Sequence, residues 1–112
     1  AISSIFEQVL ERIQIVLDAQ LTEPSFTADL FSKEMGMSRM QLHRKLKAII
    51  GLSTTEFIRS QRLKLAAVLL QNNGTNVSEV CYTVGFSDPS YFTKCFKVAY
   101  DRTPTQFKEA HS

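Results

Sequence analysis

The 112-residue chain has little glycine, proline or cysteine. Four glycines and three prolines argue against a disordered or low-complexity segment, and 44% hydrophobic residues suffice for a core. Two cysteines cannot knit the disulfide mesh of a small secreted scaffold. Cys81 falls on an apolar helical stripe and Cys95 at the edge of one, so both read as reduced core residues in a reducing compartment. The two histidines, His43 and His111, are far apart, and no metal-ligand spacing exists. No glycine loop could cradle a phosphate, and no Ser, His and acidic residues form a recognisable catalytic set. We therefore expect no enzyme, no metal and no cofactor. The first residues, Ala1-Ile2-Ser3-Ser4-Ile5-Phe6-Glu7, have no cationic region and no long apolar run. They read as neither a signal peptide nor a membrane span, and no membrane contact is expected of this segment. The chain does not begin with Met, and we expect it to be a fragment of a longer protein.

The charge present is unevenly placed. The formal net charge of +2 says little about partners. Residues 1–35, however, hold six acids and two bases, whereas residues 36–112 hold eleven bases and five acids. The basic excess therefore lies in the later two thirds of the chain.

That part contains the most informative stretch, 76–97. Asn76 caps a helix, with Glu79 placed to complete a capping box. Val77, Val80, Cys81 and Val84 supply its apolar stripe. Gly85 stops it, because glycine enters the left-handed region without steric cost. Phe86 plugs the turn, Ser87 or Asp88 caps a second helix, and Pro89 suits its first turn. At about 100° per residue, Phe92, Phe96 and Ala99 fall on one side of that helix. Ser90, Lys94 and Lys97 fall opposite, flanked by Thr93. A buried aromatic side and a polar, cationic outer side suit a helix in a DNA major groove.

The same plan occurs earlier. Ser4 and Glu7 box the start of a first helix, whose Ile5, Phe6, Val9, Leu10, Ile13, Val16 and Leu17 form one apolar face to about Gln20. We read it as a structural brace. Residues 22–25 break the pattern. A helix from Ala28 to Met35, capped by Thr27, ends at Gly36. Met37 plugs the turn, and Ser38 caps a helix over 39–50 closed by Gly51. Phe31, Ser32, Met35, Gly36, Met37 and Ser38 match Val80, Cys81, Val84, Gly85, Phe86 and Ser87 at an offset of 49. Leu42, Leu46 and Lys47 match Phe92, Phe96 and Lys97 at an offset of 50, one extra turn residue making the difference. On the 39–50 helix Leu42, Leu46 and Ile49 point inward, while Met40, Arg44 and Lys47 point away with His43 beside them. Residues 39–47 carry four bases and no acid, which fits a phosphate-lined groove.

Between the two units lies a helix over 53–72, boxed by Ser53 and Glu56 and ended by Asn73-Gly74. Its apolar residues, among them Phe57, Ile58, Leu63, Ala66, Val68 and Leu70, cover most of its circumference, so it reads as a linker helix covered on more than one side. Arg59 and Arg62 serve it structurally, by packing or ion pairs. About nineteen residues at about 1.5 Å each give roughly 28 Å, close to one DNA turn of about 34 Å. Thr103-Pro104-Thr105-Gln106 caps a last short helix, with Phe107 inward and Tyr100 over the preceding turn. The expected fold is all-α, with about seven helices in one DNA-binding domain over 1–112. Two helix-turn-helix subdomains, 4–50 and 76–110, flank the linker at 53–72.

The run VSEVCYTVGFSDPSYFTKCFK, followed by Thr103-Pro104, resembles the second helix-turn-helix of the AraC/XylS-type bacterial transcription regulators. With the linker pattern Ile58-Arg59-x-x-Arg62-Leu63-x-x-Ala66-x-x-Leu69-Leu70, the resemblance extends from about Phe6 to Lys108. Two positions depart from the pattern: Cys81 replaces a small residue, and Asp101 replaces the glycine after the recognition helix. The resemblance implies sequence-specific binding of double-stranded promoter DNA by two recognition helices in successive major grooves. It places base contacts at Met40, His43 and Arg44 on the first and at Pro89, Ser90, Thr93 and Lys94 on the second. Arg44 stands out, since arginine grips guanine O6 and N7 together. Arg39, Gln41, Lys47 and Lys97 read as phosphate contacts, which position without specifying. The resemblance further implies a cytoplasmic, nucleoid-associated regulator that alters RNA polymerase recruitment, with a sensor or effector domain upstream in the same full-length chain. The alternative is a helical protein-interaction module whose basic face meets an acidic partner; the paired glycine turns and polar outward faces count against it.

Overall fold

Capping and periodicity set the elements. The computed structural model describes residues 4–72 and 74–111, and contains seven helices: α1 (Ile5–Gln20), α2 (Ala28–Glu34), α3 (Arg39–Ile49), α4 (Thr54–Leu70), α5 (Val77–Thr83), α6 (Pro89–Tyr100) and α7 (Pro104–Ala110). Side-chain oxygens of Ser4, Ser38, Ser53, Asn76 and Thr103 each accept the backbone N–H three residues on. In three cases the Gln or Glu three residues on, Gln41, Glu56 or Gln106, accepts the N-cap N–H in return, closing a full box. Thr27 occupies the N-cap of α2 in extended geometry, but its side chain makes no capping bond. Asp88, rather than Ser87, caps α6, accepting from Ser90 N at 2.9 Å and Tyr91 N at 3.3 Å.

The chain forms two compact units, divided within α4. The first takes in α1, α2, α3 and the start of α4 as far as Ile58; the second holds the turn Thr22–Pro24 and the chain from Arg59 on. Each unit has its own core. In the first, Val9, Ile13, Val16 and Leu17 of α1 meet Phe31, Met35, Leu42, Leu46, Phe57 and Ile58. In the second, Leu63, Ala66, Ala67 and Leu70 of α4 meet Val80, Cys81, Val84, Phe86, Phe92, Phe96 and Phe107. Burial of each large apolar side chain contributes about 1.5–3 kcal/mol.

Arg12 and Arg62 reveal how far the repeat extends. Arg12 Nη2 donates to the Met35 carbonyl beside Gly36. Arg62 lies against Gly85 and donates through Nη2 to the Glu23 carbonyl at 2.8 Å. The two arginines are 50 residues apart, and Ile13, Val16 and Leu17 match Leu63, Ala66 and Ala67 at the same offset, all buried. The repeating unit is thus three helices, α1–α3 and α4–α6, and α1 is the counterpart of the linker helix. The Arg62 bond ties Glu23, and with it the turn Thr22–Pro24, to the second unit. Burial pulls the Arg62 pKa below the ordinary arginine value.

Several expectations need correction. Ile5 and Phe6, expected on the apolar face of α1, are exposed, because the core begins one turn later at Val9. On α4, Val68 is 61% exposed, so that helix keeps a solvent-facing side. Ala99 is exposed, and half-buried Tyr100 continues the stripe of Phe92 and Phe96 instead. The cause is α7: Phe107 lies 5.3 Å from Phe96 and 5.5 Å from Tyr100, drawing the last turn of α6 to that side. The helix α4 stops at Leu70, where Thr75 Oγ1 donates to the Leu69 carbonyl at 2.9 Å. The expected stop at Asn73-Gly74 rests partly on Asn73, which lies outside the described residues.

Candidate nucleic-acid interface

Each unit contains a tight turn followed by a helix whose two faces differ. In the first, Gly36 has φ 68°, and its N–H bonds the Lys33 carbonyl at 3.0 Å. In the second, Gly85 has φ 106°, and a Cβ there would meet Arg62 Nε at 2.8 Å. Glycine is required at Gly85 twice over, for its backbone and for the room it leaves. Phe86 is buried beside it, its ring 5.1 Å from Phe92 and 6.1 Å from Tyr91.

Behind α3, Leu42 and Leu46 are fully buried. Its other side presents Arg39, Met40, Gln41, His43, Arg44, Lys45 and Lys47, all exposed. On a wheel of about 100° per residue Met40, His43, Arg44 and Lys47 share an arc of about 100°. Met40 is a 61% exposed apolar side chain in this polar row. Arg39 pairs through Nε with Asp29 at 3.3 Å, both side chains largely exposed, so the pair adds about 0–1 kcal/mol. Gln41 spends its carbonyl oxygen on the Ser38 N–H at 2.8 Å. Of the residues expected at phosphates, Gln41 is therefore also a capping residue.

Behind α6, Phe92 and Phe96 are fully buried, their rings 5.9 Å apart. Pro89, Ser90, Lys94 and Lys97 are exposed, and Thr93 is half-buried. Ser90, Thr93, Lys94 and Lys97 lie together on the side away from the phenylalanines. Lys94 and Lys97 also line a depression of about 500 Å³ with Val98 and Asp101. Asp101 takes the left-handed conformation, φ 59°, and its N–H bonds the Lys97 carbonyl at 2.8 Å. The aspartate thus performs the glycine's role after the recognition helix.

Sequence reasoning missed Tyr91. It stands beside Ser90, 47% exposed, and its Oη accepts from Arg59 Nη1 at 3.1 Å. Arg59, expected to serve its helix structurally by packing or ion pairs, holds the first turn of α6 through this hydrogen bond. The signal was an aromatic residue on the outer side of a helix whose phenylalanines are buried. Cys81 is fully buried and Cys95 half-buried, and no disulfide joins them. Burial first, then the charge of Asp88, pushes the Cys81 thiol up, which keeps it protonated. Among the described residues no cluster of His, Cys, Asp and Glu could hold a metal, and no helix is long and apolar enough to cross a membrane.

Comparison with known proteins agrees with this geometry. Residues 31–110 match the family model described as a helix-turn-helix domain. The chain is 40% identical over 111 residues to histidine kinase P4 of Formosa agariphila, covering 99% of this chain but only 8% of that protein. It is 31% identical over 104 residues to the probable transcription factor PqrA of Proteus vulgaris, covering 92% of this chain and 85% of that one. Among solved structures, the C-terminal domain of the two-component response regulator yesN from Fusobacterium nucleatum superposes with a TM-score of 0.82 at 28% identity, over 90% of this chain and 98% of that one. The chain belongs to the AraC-type helix-turn-helix family, the DNA-binding domains of bacterial transcription regulators.

Proposed function

We propose that the two units act together as one reader of promoter DNA, with α3 and α6 each entering a major groove and the two grooves one turn apart. Two glycine turns with cationic, acid-free outer helix faces support this reading most directly. Met40, His43 and Arg44 on α3, and Pro89, Ser90, Thr93 and Lys94 on α6, meet base edges. Arg39, Gln41, Lys47 and Lys97 meet phosphates. The chain acts by binding, not catalysis, within a longer regulator whose sensing part lies elsewhere and whose bound form alters RNA polymerase recruitment, in the cytoplasm. The small share of the Formosa protein that it spans supports a longer parent chain.

Arg44→Ala separates this reading from a general basic surface. It should cut discrimination at one base position by about 1–3 kcal/mol, whereas Lys47→Ala should weaken all duplexes alike. Equal weakening by both variants on cognate and scrambled duplexes would remove the sequence-reading claim.

A further inference from the structure

A cavity of about 400 Å³ lies beside α3, lined by Ala28, Arg39, Met40, His43, Thr54 and Thr55. Thr54 and Thr55 open the 17-residue α4, so the positive end of its dipole faces this space. The capping box occupies the N–H groups of Ser53 and Glu56. Those of Thr54 and Thr55 lie in the first turn, where a helix supplies no acceptors of its own.

The Thr54 side chain is a second, independent sign. It is 6% exposed, one of two buried polar residues in the described core. The other, Ser32, bonds the Asp29 carbonyl at 2.8 Å. The Thr54 hydroxyl has no protein partner among the described residues. Yet those residues hold no sealed, unpartnered polar atom. The hydroxyl therefore keeps some access to solvent, and Thr54 lines the cavity. A largely buried threonine at a helix N-terminus, with an arginine and a histidine lining the same cavity, is suited to an oxyanion. The nearby acids are engaged: Asp29 holds Arg39 Nε, one of an arginine's five N–H donors, and Glu56 accepts the Ser53 N–H.

We infer that this cavity seats one backbone phosphate of the bound duplex. Thr54 Oγ1 and the Thr54 and Thr55 N–H groups contact its oxygens, and Arg39 closes the other side. The site rests on the DNA-binding reading, because Met40 and His43 of the recognition helix share its wall. It fixes how far α3 enters its groove without reading sequence.

Two measurements test it. First, inorganic sulfate is titrated into the chain while backbone amide resonances are followed. The Thr54 and Thr55 amides should shift saturably, Thr54→Val should abolish the response, and Thr54→Ser should retain it. Absent shifts, or shifts unchanged in Thr54→Val, would overturn the site. Second, a single neutral methylphosphonate is moved along each strand of a bound duplex. Thr54→Val, its fold checked by thermal melting, should weaken binding about ten-fold on every sequence. At one methylphosphonate position the wild type should lose as much, and the variant nothing further. Additive losses at every position would contradict the seat. If sulfate binds as expected but no duplex binds, the anion site stands and the DNA reading fails.

Discussion

Gly85 concentrates much of the second unit's design in one residue. Its φ of 106° suits glycine alone, and a Cβ would meet Arg62 Nε at 2.8 Å and the Thr22 carbonyl at 3.1 Å. Gly51 also has positive φ, 85°, but open space around it. Gly85→Ala should therefore cost about 1–3 kcal/mol in backbone strain plus a steric part, and more than Gly51→Ala. Denaturant midpoints of the two variants decide it; equal losses would remove Arg62 from the explanation. The glycine's backbone role was legible in the sequence, because a helical stripe stopped there and another began. The arginine against it was not: 23 residues separate Arg62 from Gly85. Asp101 was legible as standing where a glycine is expected, and it takes the left-handed conformation. Ala99 was misread, because only the packing of Phe107 shows which side of the last turn is covered.

Among the elements, α6 depends most on its cap. Asp88 satisfies two of the first N–H groups, on Ser90 and Tyr91, next to a side chain proposed to meet bases. Asp88→Ala should cost about 1 kcal/mol and fray that turn, while Asp88→Asn should keep most of the stability. Faster amide exchange confined to Ser90 and Tyr91 in the alanine variant is the expected reading; unchanged exchange there would show that Pro89 and packing suffice. Helix positions were readable because caps and stop residues are local chemistry. The first helix was harder. Its equivalence to α4 is carried by Arg12 and three apolar positions, with no glycine turn to mark it. As a brace it looked unique, whereas as a repeat it explains why each unit holds a guanidinium at its turn.

At the scale of the whole molecule, two cores and two basic helices support the proposal that one chain reads two half-sites. The uneven charge pointed in the sequence to the part of the chain that holds both proposed recognition helices. The proposed division between phosphate and base contacts was less legible, because Gln41 doubles as a cap and Arg39 as the partner of Asp29. Selection of bound duplexes from a random pool at physiological salt tests the central claim. Two conserved blocks, centred about 10–10.5 base pairs apart, are predicted, and Arg44→Ala should blur only one of them. A single block, or no enrichment over the starting pool, would contradict it.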